Sequence, residues 1–341
     1  MEEIFCTPET LKATLARHGV AAIKNTLTAE ECAALVSGLA EAMEKLTERL
    51  PTPFDSKSPE TYKVLSQTLP LHQMIYQHSG VGWCKAAVDV RQNPKVVANF
   101  RALHGTDDLW TSYDGVAVSY PYARRQLTAP KKTWFHIDSD PQKNETDIVQ
   151  SWVTGVDVNP GDATLTVLAG AAEHWKEYCR VFAAGVDKRI DWHQLSAEEM
   201  EFFESRGCKR LAITCPAGTH VFWNSCTPHE GTPPQQPCEN RSIRAVVYAC
   251  MTPRTFAARQ YTKGKLTINN KKIERTKKQR FEWAKAGRNT SHSPCNPRVF
   301  GTKPYNYGGP LPDLVTLAGE SNFEERKSWM TPLGLKVFGL D

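Results

Sequence analysis

Thr133-Trp134-Phe135-His136-Ile137-Asp138 is the stretch on which the reading of this chain turns, with Pro228-His229 and Arg241-Ser242-Ile243-Arg244 as its distant counterparts. Residues 133 to 137 are aromatic and β-branched, the composition of a strand. A histidine and a carboxylate thus stand two residues apart where a strand ends. Two imidazoles and one carboxylate can hold one face of an octahedral Fe(II) and leave three positions open. The His-x-Asp pair is weak by itself. With ten histidines and 37 acidic residues in 341, roughly one His-x-Asp/Glu match is expected by chance, and His136 supplies the only one.

The surroundings therefore carry the reading. Far downstream, Gly218-Thr219-His220-Val221-Phe222-Trp223 reads as a second strand with His229 just beyond it, and Arg241 to Tyr248 reads as a third. Ligands at the ends of separate strands suit the mouth of a barrel or sandwich, where binding sites form. His220 competes with His229 for the distal position. It alternates with Phe222 on an apolar strand, which favours a place in the core. An arginine after the distal histidine could grip a carboxylate in a two-pronged ion pair. Arg241 and Arg244 both qualify, and strand alternation lets only one of them reach the same face unless a bulge intervenes.

Composition bounds the class. A chain of 341 residues, 40% hydrophobic and 23% charged, can bury a generous core and reads as an ordinary globular protein. No apolar run approaches the ~20 residues that span a bilayer, and the start, Met1-Glu2-Glu3-Ile4-Phe5-Cys6, lacks a basic-then-apolar signal pattern. The ten cysteines form no CxxC pair, so free thiols in a reducing, cytoplasmic setting are expected, with the nucleus not excluded. The sequons at Asn144, Asn240 and Asn289 are then incidental.

Thr28-x-x-Glu31 is a capping box opening a helix whose Leu35, Leu39, Met43 and Leu46 recur at helical spacing. Pro51-Thr52-Pro53 ends it, and the polar residues 51 to 80 are expected to cover the site as a lid. Residues 113 to 121 and 148 to 168 read as strands, and 171 to 210 as helical, with a second capping box at Ser196-x-x-Glu199. Between Lys263 and Arg280 stand eight basic residues and one acidic, Glu274, so the formal net charge of +5 is concentrated there. That stretch suits a solvated face or a contact with nucleic acid or another acidic partner. The prolines and glycines from Pro294 to Pro310 suggest an extended segment wrapping the domain.

At these residues the chain resembles the phytanoyl-CoA dioxygenase (PhyH-like) family of Fe(II)/2-oxoglutarate oxygenases, from about residue 10 to 255. His18 to Asn25 followed by Leu27-Thr28-Ala29-Glu30-Glu31 is similar to the family's opening strand and helix. Trp152 to His174 is similar to a segment that ends there in Pro-Gly-Ser-His; here it ends in Ala169-Gly170-Ala171-Ala172-Glu173-His174, without that proline and serine. Pro216 to Phe222 and Pro228-His229-Glu230-Gly231 resemble the strand leading to the distal metal ligand.

The resemblance implies an α+β fold with a double-stranded β-helix (jelly roll, cupin-like) core flanked by helices. It implies an oxygenase domain over residues 1–255, with 256–341 a basic, Pro-rich extension packed on it. It implies His136, Asp138 and His229 as Fe(II) ligands, Arg244 or else Arg241 as the 2-oxoglutarate anchor, and Trp152 beside that co-substrate. The implied reaction uses O2, releases succinate and CO2, and hydroxylates a C–H bond of a small molecule; a macromolecular substrate docked through 263–280 is the alternative. Related halogenases lack the carboxylate to make room for chloride, so Asp138 favours hydroxylation.

Overall fold

The computed structural model describes residues 2–122, 134–141, 148–183, 192–235, 242–262, 265–296 and 313–341. Arg241, Lys263, Asn144, Asn240 and the greater part of the Pro- and Gly-rich run lie outside the described residues.

In chain order the first strands are β1 (Val20–Ile23), β2 (Ile75–Tyr76), β3 (Leu109–Thr111), β4 (Val116–Ser119), β5 (His136–Ile137), β6 (Val149–Thr154), β7 (Thr164–Ala169) and β8 (His193–Gln194). There follow β9 (Lys209–Ala212), β10 (His220–Asn224), β11 (His229–Thr232), β12 (Arg244–Tyr248), β13 (Met251–Pro253), β14 (Arg259–Thr262) and β15 (Lys265–Ile268). The N-terminal helices are α1 (Leu11–His18), α2 (Ala29–Thr47), α3 (Lys85–Gln92) and α4 (Pro94–His104); α5 (Ala171–Phe182) and α6 (Ala197–Glu204) lie mid-chain. The last part holds α7 (Lys271–Lys285), α8 (Leu317–Glu320), α9 (Phe323–Ser328) and α10 (Pro332–Phe338).

Two antiparallel sheets form the centre, one ordered β1-β10-β6-β12-β4-β2 and the other β8-β5-β11-β7-β9. Alternation along each strand divides the side chains between two faces. On the larger sheet, Val118, Val153, Phe222 and Val247 join Leu35 of α2, Val88 of α3 and Phe100 of α4 in one core cluster. The opposite face, with Ala117, Trp152, Val221 and Val246, joins Leu165 and Val167 of β7, so this second cluster fills the space between the sheets. Beyond the smaller sheet, Ile137 and Leu168 are covered by Trp175 and Tyr178 of α5 and Phe203 of α6. The layers run helices, sheet, sheet, helices.

Helix starts follow local chemistry. The Thr28 hydroxyl accepts from the Glu31 N–H at 3.2 Å while the Glu31 carboxylate accepts from the Thr28 N–H at 2.8 Å, and Ser196 and Glu199 repeat the arrangement at α6. Leu35, Leu39, Met43 and Leu46 are all buried, as their spacing predicts.

Two expectations change. The lid expected over 51–80 narrows to residues 71–77: Leu71, His72, Ile75 and Gln77 line the cavity and Ile75–Tyr76 pairs with β4 as the edge of the larger sheet, while Phe54, Val64 and Leu65 belong to the helix-side core. Residues 171–210 also hold β8, which pairs with β5; two residues are too short for any periodic signal. Among the described sequons, Asn289 is buried with its Nδ2 toward the Tyr113 and Asp114 carbonyls, leaving no place for a glycan. The nine described cysteines are free. No helix of the described residues is long and apolar enough to cross a membrane.

The C-terminal part shares the first core cluster through Ala284, Val315, Leu317, Val337 and Phe338. Buried arginines fasten it, because a planar guanidinium can satisfy several carbonyls at once. Arg280 donates to the carbonyls of Pro294 at 2.9 Å, Thr111 at 2.8 Å and Phe338 at 3.2 Å. Arg326 serves Ala318, Ser321, Ala284 and Lys285. Arg280 therefore belongs to the interior, although its place in sequence counts it within the basic stretch. Lys271, Arg275 and Lys278 remain exposed on α7.

His220 settles on the helix-facing side of β10. Its ring lies 5.5 Å from Phe100 and 3.9 Å from Phe222, with Nε2 2.8 Å from the Ser151 hydroxyl and Nδ1 3.2 Å from Asn99 Nδ2. It is a core residue, facing away from the space between the sheets.

Replacing Arg280 by Met strands three carbonyls and is expected to lower stability by about 3 kcal/mol or more, read as a fall in the urea midpoint. Burial pushes the His220 imidazole down from 6.5 to about 3. The fold keeps it neutral while the unfolded chain takes up a proton below its ordinary value. Stability is thus whole above that value and is lost as pH falls toward the folded one. The penalty at pH 5 relative to pH 7 is about 2 kcal/mol, and urea titrations of His220→Gln at both pH values should show that much less acid sensitivity.

Candidate metal centre

The pairing of β5 with β11 places His229 directly across from His136. Residues opposed in this way carry their Cβ atoms ~5 Å apart, and the two ring centroids are 4.3 Å apart. Asp138 follows β5 immediately, its backbone N–H bound to the Ser225 carbonyl at 2.8 Å. That bond turns the carboxylate back toward the rings. Asp138 Oδ2 lies 3.6 Å from His136 Nε2 and 3.3 Å from His229 Nε2, and the three candidate ligand atoms all fall within 4.8 Å of one another. Metal bonds of ~2.1 Å at right angles would separate such atoms by ~3 Å.

Protonation suits the same purpose. His136 Nδ1 faces the Trp134 carbonyl at 3.3 Å, and His229 Nδ1 faces the Thr227 carbonyl at 2.8 Å. A carbonyl only accepts, so each Nδ1 carries the hydrogen and each Nε2 turns a lone pair inward. Burial, with the neighbouring His136 ring, pushes His229 below its ordinary value, keeping it neutral. Burial alone would raise the Asp138 carboxyl, but His292, His136 and His229 together outweigh it and hold the group well below the usual carboxylate range. A metal bound here would be offered one carboxylate and two imidazole nitrogens.

These groups open onto a cavity of about 370 Å³ between the sheets. Its lining includes Arg244, 4% exposed, donating to the Ala163 carbonyl at 2.6 Å with its guanidinium 5.6 Å from the Trp152 ring. Arg244 Nε, Trp152 Nε1 and Trp223 Nε1 are buried donors without a hydrogen-bond partner, and all three residues line the cavity. Alternation explains the grouping: Gln150 and Trp152 on β6 and Arg244 on β12 share the face between the sheets. Buried donors are normally satisfied, so the cavity is furnished for a ligand rich in acceptors.

Sequence reading places His136, Asp138, His229, Arg244 and Trp152 as site residues, and the structure brings all five to one cavity; Arg241 lies outside the described residues. It passes over Gln150, whose Nε2 donates to Asp138 Oδ2 at 2.9 Å. The Gln150-x-Trp152 alternation was the available signal. It also passes over His292, whose Nδ1 is 4.0 Å from Asp138 Oδ2. Nothing local marks that residue.

No known protein-family profile matches the chain, so the likeness to the phytanoyl-CoA dioxygenases rests on the motifs quoted above. A curated relative, the Ava biosynthesis cluster protein O of Aspergillus versicolor, is 25% identical over 249 residues, covering 71% of this chain and 76% of its own length. A hypothetical protein of Escherichia coli shares the fold, at a TM-score of 0.53 and 12% identity over 97% of this chain and 81% of that one. The epimerase SnoN, solved with Fe3+, alpha-ketoglutarate and nogalamycin RO, aligns at a TM-score of 0.46 and 18% identity, over 73% of this chain and 84% of its own.

Calorimetry with Mn(II) should find one site per chain. His136→Ala, Asp138→Ala or His229→Ala should each weaken it by at least about 100-fold, and Gln150→Leu by roughly 10- to 100-fold. His220→Gln should bind as the parent does.

Proposed function

We propose that this chain is a non-haem Fe(II)- and 2-oxoglutarate-dependent dioxygenase that hydroxylates a C–H bond of a small organic molecule. The observation that carries the reading is the pairing of a convergent His136-Asp138-His229 donor set with unpartnered buried donors on Arg244 and Trp152 in the same cavity. Two imidazoles and one carboxylate on a single face suit Fe(II) with open positions. We read the two facing sheets as a double-stranded β-helix with the metal at its mouth. The Aspergillus versicolor relative bears the name of a biosynthesis cluster, in keeping with a small-molecule substrate.

Each residue has a task. His136 and His229 present Nε2 lone pairs because their Nδ1 hydrogens are held by carbonyls. Asp138 supplies the negative charge, and Gln150 fixes which way it turns. Arg244, buried and already anchored on the Ala163 carbonyl, is preset to receive the distal carboxylate of 2-oxoglutarate. Out of water that charge pair is far stronger than at the surface. Trp152 closes over the guanidinium and keeps water from the pair. When bound, iron and the keto acid together activate O2 and yield succinate and CO2.

The test is succinate release from 2-oxoglutarate with Fe(II), screened across small-molecule candidates. His136→Ala should reduce it to background. Arg244→Ala should raise the 2-oxoglutarate concentration required by roughly 10- to 100-fold, the loss of a charge-assisted pair. If Arg241→Ala does so instead, the anchor passes to Arg241. A chain that neither takes up Fe(II) nor releases succinate with any candidate ends the reading.

A further inference from the structure

Resting on the oxygenase reading, we infer that the substrate is an uncharged, flat, largely apolar molecule seated against Trp134 and Trp192 on the His136 side of the metal site. The cavity has two unlike ends. Arg244 and the unpartnered indole N–H groups of Trp152 and Trp223 occupy one, which the keto acid fills. Around the other stand Leu71, His72, Ile75, Trp134 and Trp192.

The rings at this second end are ordered. Trp134 stacks on His72 at 3.5 Å and 8° and on His136 at 4.7 Å and 16°, while Trp192 leans over His136 at 5.8 Å and 34°. Trp192 is 38% exposed, and of the exposed large apolar side chains among the described residues it alone lines this cavity. An indole held bare at a cavity rim is apolar surface awaiting cover. Its position is held by the residues that follow it. His193 Nε2 lies 2.7 Å from Glu199 Oε1, the Tyr178 hydroxyl donates to the same oxygen at 2.6 Å, and Gln194 pairs with His136 in register. Gly231 keeps the space beside Trp134 open: a Cβ there would come within 2.9 Å of Met74 Cε and 3.5 Å of Trp134 Cζ2.

Charge narrows the class further. Among the described lining residues Arg244 is the sole lysine or arginine, and it serves the keto acid. Burial pushes the Asp114 carboxyl up, toward its neutral form, and its Oδ1 already accepts from Gln77 Nε2 at 2.8 Å and from the Gly115 N–H at 2.6 Å. An ionised substrate group would lie at this end without a counter-charge, which burial penalises. Flat neutral rings instead gain both apolar burial and aromatic stacking.

Equilibrium dialysis of the full chain, treated with chelator and kept in saturating 2-oxoglutarate so that the Arg244 end is filled, against four probes tests this: 2-naphthol, 2-naphthoate, 2-naphthylmethylammonium and the saturated decahydro-2-naphthol. The neutral flat probe should bind at least about tenfold more tightly than either ion and about threefold more tightly than the saturated alcohol. Trp192→Ala should weaken 2-naphthol about fivefold or more, and Trp192→Phe should recover most of that, the size expected for one aromatic contact. Equal or tighter binding of an ionic probe, no response to Trp192→Ala, or a Kd above about 1 mM for all four probes would overturn the inference. Because dialysis needs neither iron nor turnover, probe selectivity without succinate release faults the oxygenase reading alone. Succinate release without selectivity faults the substrate class alone.

Discussion

The antiparallel bond between β5 and β11 is the constraint from which the rest of the site follows, since it sets His229 opposite His136. Side chains on a strand alternate, so a slip of one residue would send one imidazole to the face covered by α5 and α6. The register is held from both sides. β7 pairs with β11 beyond it, while Leu165 and Val167 fill the space between the sheets. The Ser225 carbonyl then holds the Asp138 N–H, which turns the carboxylate toward both rings.

The larger sheet contributes through the same alternation. Its helix-facing side chains make the main core, and its inner side chains deliver Gln150, Trp152, Arg244 and Tyr248 to the cavity. Stability and chemistry thus occupy opposite faces of the same strands. His220 shows the division well: two residues before Phe222 and on its face, it is bonded to Ser151 and Asn99 and never meets the cavity. The cavity is itself divided, with charge and donors at the Arg244 end and aromatic surface at the Trp134 end.

The C-terminal part is structurally continuous with this arrangement. Arg280 and Arg326 gather carbonyls from the core and from the chain's last helices. The segment between them and the core places His292 beside Asp138. The stretch that reads as basic surface therefore also supplies one interior cation, Arg280, and the residues after it bring Ser291 and His292 to the lining of the cavity.

From residue order alone, the strand position of His136-Ile137, the strand leading toward His229, the capped helix at Thr28 and the competing claims of His220 and His229 were legible, because each depends on local composition or on spacing along one element. Arg244 and Trp152 were legible through resemblance, while the strands themselves, buried on both faces, offered little alternation to read. Only the folded chain decided that Gln150 steadies Asp138, that His292 borders it, that Trp134 and Trp192 form an aromatic rim, and that residues 71–77 are wall. Those contacts join segments far apart in sequence. They depend on strand register and on how layers stack, quantities set by the whole packing and carried by no single stretch of chain.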